Sequence, residues 1–349
     1  MPAATALTAG NDPLPQLAER AVHKALERAG ISRANAVLLY LTSDFARHAS
    51  PSITVAGRAA GSLQVFGGIL AGICTEEGWV VDRPAAAAMV LFGDTTLVPD
   101  SSGPRLCLVN GAFPSRWEHD RVRFGSHVQT SALPEGAALW QSGRGGLHTA
   151  ETAIHGARAH IVVSTGLRII GTFECVSQSS TYELQRIADK TALDALLVAL
   201  PESWRKRHAL PLHLINAVRE RDIASGIALI SANADGSLTL AAPVFPGERI
   251  GWAIRDAEAA AADMQAKHAT PLEPPPGFAF FHSCIGRGPY FYGGEDRDLA
   301  ALCARHPGMP LIGGYGTGQI APLGNRNRQW QNCVVTALFN ENHHVQPQS

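Results

Sequence analysis

Residues 278–323 read FAFFHSCIGRGPYFYGGEDRDLAALCARHPGMPLIGGYGTGQIAPL, and the fold is decided there. Residues 278–284 are apolar and aromatic, as in a buried strand. Residues 285–294 form a loop with four glycines and one cation, Arg287. Residues 295–306 have helical spacing, with Leu299, Leu302 and Cys303 on one face and Asp296, Arg297 and Arg305 on the other. Pro307 and Gly308 stop that helix, and 309–312 is a short second strand ending in GGYGTGQ at 313–319. Strand, helix, strand predicts a crossover unit, whose loops lie at one sheet edge. Two glycine loops are then expected to line one crevice, where Arg287, the Cys284 thiol, the Tyr315 hydroxyl and the Gln319 amide meet. Neither loop has dinucleotide spacing, because residue 319 is Gln and residue 291 is Phe, and no Lys-Ser/Thr pair makes a phosphate loop. The same glycines also suit tight turns with positive φ.

Working outward, the 349 residues are 46% hydrophobic and 17% charged, which supports a large core and argues against disorder. A net charge of −1 argues against nucleic-acid binding, which needs a basic stripe. No apolar run approaches the roughly 20 residues of a membrane span. Residues 1–13 lack the basic and apolar regions of a signal peptide. Cysteines 74, 107, 175, 284, 303 and 333 form no C-x-x-C and read as reduced thiols of a cytoplasmic protein.

Asp12 and Pro13 are expected to open a helix that Gly30 closes. Strands are expected at 36–41, 63–75, 85–92, 105–110, 137–141, 152–164 and 169–178, with a helix over 50–62. In the second half, strands at 212–218, 227–231, 248–254 and 331–338 alternate with helices at 189–200 and 256–268. NADG at 233–236 reads as a hairpin turn. The whole is a mixed α/β (α+β) fold in two lobes, each a mixed β-sheet covered by helices.

CIGRG at 284–288, an acidic helix start and PLIGGYGTGQIAP at 310–322 resemble the C-terminal half of the FIST family of sensory domains. The helix-then-strand opening, the glycine-cysteine element near Cys74 and STGLRIIG at 164–171 resemble its N-terminal half. The resemblance implies a helical lead-in over 1–33, a FIST N-terminal-like domain over 34–205, a FIST C-terminal-like domain over 206–340 and a polar tail over 341–349. It implies a small ligand such as an amino acid. Arg287 would hold its carboxylate by a two-point contact. Backbone N–H groups of Gly286 and Gly288 and the helix start at Glu295 would add donors. Tyr315, Gly316, Gly318, Gln319 and Asn332 would read the other end. The family pattern carries Glu where this chain has Gln319, which alters amine recognition if that carboxylate neutralises an ammonium group. Both halves are used by the sensory unit, so a separate partner is expected: a histidine kinase, a cyclase or a chemotaxis protein.

Two further readings compete. Some FIST proteins are haem-binding nitric-oxide sensors, and an axial ligand needs a His in an apolar cavity. His127, His148, His155, His160, His213 and His282 lie in or near apolar segments. Cys284, near His282 and Arg287, is the one weak nucleophile candidate for a thiol enzyme. Zinc-site spacings and a G-x-S-x-G elbow are absent. Glu295, Asp296 and Asp298 read as helix-dipole partners rather than acid–base groups.

Overall fold

The computed structural model describes residues 1–47, 49–99, 102–128 and 138–341. The tail expected from 341 therefore lies outside the described residues except for Glu341. The described chain divides into two compact units, Met1–Ser164 with the chain from Met264 onward, and Thr165–Asp263. Residues 206–263 and 264–340, read from the sequence as one lobe, thus fall in different units.

The first unit begins with β1 (Ala3–Ala9), α1 (Pro15–Ala29), β2 (Ala36–Thr42), α2 (Ala49–Ala60), β3 (Val65–Leu70), β4 (Gly72–Thr75), β5 (Gly78–Val81) and β6 (Ala85–Leu91). Helix α1 is capped at Leu14, without a side-chain cap, rather than at Asp12; it ends at Gly30 in the left-handed conformation, as expected. The apolar run 63–75 is two strands, because the chain changes sheet at Ala71. Next come β7 (Thr96–Val98), β8 (Arg105–Val109), β9 (Arg123–His127), β10 (Leu139–Gln141), β11 (Arg144–Gly145), β12 (Thr149–His155) and β13 (Ala157–Ser164). The alternating run 152–164 is also broken, at Gly156 with φ +84, where a Cβ would lie 2.5 Å from the Asp94 carbonyl oxygen.

The second unit holds β14 (Leu167–Ser180), β15 (Glu183–Ile187), β16 (Lys190–Thr191), α3 (Ala192–Ala199), α4 (Glu202–Arg205), β17 (Ile215–Arg219), β18 (Asp222–Ala232), β19 (Leu238–Leu240) and β20 (Arg249–Arg255). Its sheet runs β14-β20-β17-β18-β19-β15-β16, and β14 also pairs with β15, so the sheet closes on itself. Ile170, Leu184, Leu196, Trp204, Ile227, Leu238 and Trp252 fill its inside. Thr191 caps α3 by accepting from the Asp194 N–H at 3.1 Å. The NADG turn joins β18 to β19 as the sequence predicts.

Helix α5 (Ala257–Lys267) carries the chain back to the first unit, which finishes with β21 (Phe278–Cys284), α6 (Arg297–Arg305), β22 (Leu311–Gly316), β23 (Gly318–Leu323), β24 (Arg326–Trp330) and β25 (Val334–Glu341). Its three six-stranded sheets run β1-β6-β2-β3-β10-β11, β7-β12-β8-β9-β23-β24 and β13-β25-β21-β22-β4-β5. All three share one pattern. The third and fourth strands are parallel, and every other pair is antiparallel. In each the last hairpin comes from elsewhere in the chain: β3 leads to β4–β5 in the third sheet, β9 to β10–β11 in the first, and β22 to β23–β24 in the second. Three segments therefore exchange hairpins in a cycle, and each hairpin covers a strand edge that would otherwise be bare.

The parallel pairs are alike in detail. Gly67 stands opposite Leu39, Gly125 opposite Cys107 and Gly313 opposite Phe281. A Cβ at these glycines would lie 1.8, 1.8 and 1.9 Å from the partner's carbonyl oxygen. The inner faces of the sheets meet through aromatic rings. Tyr40 lies 6.0 Å from His282 and Phe124 lies 5.6 Å from Phe280, centroid to centroid. On their outer faces, α1 and α2 cover the first sheet, while Met264 of α5 and Leu299 and Leu302 of α6 cover the third. Among the described residues no helix is long and apolar enough to cross a membrane.

Candidate functional site

The crossover β21–α6–β22 forms as the sequence predicts, with β21 and β22 parallel. Its second glycine loop does not. Residues 313–316 belong to β22, Thr317 turns the chain, and β23 starts at Gly318. Tyr315 and Gln319 thus sit on strands and are fully buried. Gly316 and Gly318 serve close packing there: a Cβ at 316 would lie 2.1 Å from the Ser126 Oγ, and one at 318 would lie 2.9 Å from the Gln329 amide nitrogen.

The first loop covers a buried polar network. Arg287 is 1% exposed. Its Nε and Nη2 donate to Asp298 Oδ2 and Oδ1 at 2.9 and 3.0 Å. Its Nη1 donates to the Ser164 carbonyl at 2.7 Å and its Nη2 to the Ser164 Oγ at 2.8 Å. The two-point contact expected with a ligand is made instead to a carboxylate of the same chain. Burial opposes the guanidinium charge, but the Asp298 carboxylate outweighs it and holds the Arg287 pKa above its ordinary value. Tyr292 adds an O–H bond to Asp298 Oδ2 at 2.9 Å.

Beside this pair, Asp296 caps α6. Its Oδ1 accepts from the Leu299 N–H at 2.9 Å, and its Oδ2 accepts from the Tyr315 hydroxyl at 2.6 Å. Gly288 passes over the Tyr315 ring so closely that a Cβ would lie 2.9 Å from Cδ1. Burial pushes the Asp296 carboxyl up to about 6, against the lowering effect of its hydrogen bonds. The groups facing it are Tyr315, Asp298, Cys74 and Cys303. A carboxyl held protonated more firmly in the fold than in the unfolded chain makes the fold bind more protons between pH 3.8 and about 6. Stability from this group is therefore expected to fall as pH rises through that window, by on the order of 2–3 kcal/mol. Asp296→Asn keeps a cap and removes the proton. Thermal unfolding from pH 4 to pH 7 should show the wild type losing ground to the variant; parallel curves would refute the assignment.

A second string of contacts lies at the end of β21. The Cys284 thiol is 3.7 Å from Asn332 Oδ1, and the Cys333 thiol is 3.5 Å from Gln319 Oε1. Asn332 adopts φ +56 in the turn before β25. The Gln319 Nε2 is buried without a partner. The structure thus brings Cys284, Asn332 and Gln319 near one another, and ties Tyr315 and Arg287 into the adjacent network. Gly286 stays exposed in the turn Ile285–Arg287. Neither ring nitrogen of His282 is a hydrogen-bond partner of Cys284; the thiol's partner is the Asn332 Oδ1.

Sequence reasoning took Asp298 only as a helix-dipole partner and gave Ser164 and Cys333 no place in the site. Asp296, read as a helix-dipole partner inside the expected helix, stands just before it as its cap, and pairing of Arg287 with Ser164 spans 123 positions and leaves no local signal. Arg168 pairs with Asp256 at 3.5 Å.

The structure places the six histidines in different settings. His148, His155, His160 and His213 are exposed. Both His127 ring nitrogens are engaged, Nδ1 with the Thr317 Oγ1 at 2.9 Å and Nε2 with the Gly111 carbonyl. His282 is fully buried, and neither of its nitrogens has a partner. Its ring is stacked with Phe280 and set edge-on to Tyr40, at 6.4 and 6.0 Å. In the second unit a surface depression is lined by Arg219, Arg221, Arg249, Glu220 and Glu248; its arginines pair with those glutamates.

A stretch of 107 residues is 29% identical to uncharacterized proteins of Mycobacterium tuberculosis, strains CDC 1551 / Oshkosh and ATCC 25618 / H37Rv. It covers 30% of this chain and only 28% of the length of those relatives. Residues 192–322 match the FIST C domain. That family is one of sensory domains, and the matched segment runs from α3 to β23, with Arg287, Asp296, Asp298, Tyr315 and Gln319 inside it.

Proposed function

We propose that this chain is a sensory protein that binds a small ligand and signals through a separate partner. The observation that carries the reading is the FIST C match over 192–322. On this reading residues 34–205 act as the N-terminal-like and 206–340 as the C-terminal-like sensory domain. The ligand is an amino-acid-like carboxylate received at the rim made by Cys284, Gly286 and Asn332. Recognition works by exchange: the ligand carboxylate takes the place of Asp298 on the Arg287 fork, which matches any carboxylate in the same two-point geometry. Asp298 stands in the first turn of α6. Its release loosens that turn and the loop over it, which is the change a partner such as a histidine kinase, a cyclase or a chemotaxis protein reads.

Thermal unfolding of the purified chain across a panel of amino acids and short carboxylates tests this. One member at a hundredfold excess over its Kd should add about 2.7 kcal/mol and raise Tm by several degrees. A panel in which nothing moves Tm removes the ligand reading. The absorbance spectrum of the same sample discriminates the haem alternative. A Soret band moved by nitric oxide and lost in His282→Ala would replace the carboxylate reading.

A further inference from the structure

Strand register brings two cysteines opposite one another. Ser283 stands opposite Val334 in the antiparallel pair of β21 and β25. One step on, the Cys284 N–H donates to the Cys333 carbonyl at 3.0 Å, so these two cysteines are directly opposed. Opposed residues project to one face of the sheet. Hydrogen-bonded opposed pairs have Cα atoms about 5.5 Å apart, within the roughly 4.4–6.8 Å that disulfides span. Both cysteines are free thiols, and each has only a side-chain amide oxygen as its thiol partner, Asn332 for Cys284 and Gln319 for Cys333. Cys284 is 4% exposed, beside the half-buried Asn332, whereas Cys333 is fully buried. A small oxidant therefore meets Cys284 first.

We propose that Cys284 and Cys333 form a redox-modification site, which closes to a cross-strand disulfide when a hydroperoxide oxidises Cys284. The Cys284 sulfur attacks the terminal oxygen of the peroxide and the O–O bond breaks. With hydrogen peroxide this gives a sulfenic acid and one water. The Cys333 sulfur then attacks the Cys284 sulfur; the S–S bond forms, the S–O bond breaks, and a second water leaves. Two thiols lose two electrons and two protons, and the peroxide is reduced. The bond would tie the end of β21, just before Arg287, to the start of β25, so the oxidised form fixes the strand end from which the Arg287 loop departs. The proposal stands on strand register and holds whether or not the chain binds a carboxylate.

The test uses the full chain carrying Cys175→Ser, which removes the exposed cysteine and its intermolecular products. The protein is treated with hydrogen peroxide, its remaining thiols are alkylated, and it is cut with trypsin without reductant. Peptides 268–287 and 329–349 hold one cysteine each, Cys284 and Cys333. They should appear as one linked species that reduction separates, with the intact chain lighter by two hydrogens. Cys284→Ser and Cys333→Ser should each abolish the link, and in Cys333→Ser the Cys284 sulfur should go on to sulfinic acid. Overturning results are full alkylation of both cysteines after peroxide, or sulfinic acid at Cys284 with Cys333 still a thiol in the parent chain.

Discussion

Arg287→Ala is expected to destabilise the first unit by about 3–5 kcal/mol, because it leaves the Asp298 carboxylate buried without its counter-charge. Asp298 is 0% exposed and Arg287 1% exposed, so water cannot substitute for either partner without opening the loop. The Ser164 carbonyl and hydroxyl lose the guanidinium as a donor in the same change. Arg287→Lys keeps the charge but not the fork, and should still lose a large part of the stability, since an ammonium cannot serve Asp298 and Ser164 together. Replacing both members by apolar residues, Arg287→Met with Asp298→Leu, should recover much of the loss, as buried pairs exchanged for packed hydrophobes often do. Denaturant midpoints of the wild type, Arg287→Met, Asp298→Leu and the double variant measure the coupling. A loss below about 1 kcal/mol for Arg287→Ala would mean that the guanidinium does not hold the loop.

The second large effect is expected at Gly313. An alanine there would place a methyl group 1.9 Å from the Phe281 carbonyl oxygen, a backbone atom of the neighbouring parallel strand. A flexible side chain could yield, but a strand within a six-stranded sheet cannot move alone. Overpacking costs about 1–3 kcal/mol where side chains take up the strain, and here the cost should lie at or above the upper end. Gly67→Ala and Gly125→Ala meet the same obstacle and should behave alike. Gly324→Ala is the control: φ is +60 and nothing lies within 4 Å, so it should cost only about 1 kcal/mol. Soluble yield, circular dichroism and Tm distinguish the two classes. If Gly313→Ala unfolds no earlier than Gly324→Ala, the close register of the parallel pair is wrong.

These glycines show why part of the fold was legible and part was not. The boundaries of β21, the stop of α1 at Gly30 and the crossover through α6 follow from local spacing, because the energies that set them act between near neighbours. Gly313, Gly314 and Gly316 read as a loop for an equally local reason, since glycine is the usual residue for positive φ. In the fold none of the three has positive φ. They lie in a strand because a neighbouring strand, or Ser126, occupies the space a side chain would need. Close approach and turn freedom select the same residue, and only the neighbour tells them apart.

The candidate site divides in the same way. That Arg287, Cys284, Tyr315 and Gln319 belong to one region could be read from the crossover, since a strand, helix and strand return the chain to one sheet edge. That Arg287 is already satisfied by Asp298 and Ser164, that Tyr315 bonds Asp296, and that Cys284 faces Cys333 could not. By itself the sequence determined segments such as α1, β2, β8 and β21, and that strands and helices alternate around a large core, but not β1, β9, β23 or β24. Only the tertiary structure decided which strands share a sheet, including the cyclic exchange of three hairpins, and which polar groups neutralise one another. The reason is physical. Periodicity reports burial along one segment, whereas strand pairing and polar pairing join different segments, as Arg287 and Ser164 are joined across 123 positions, and those contacts exist only once the chain has closed.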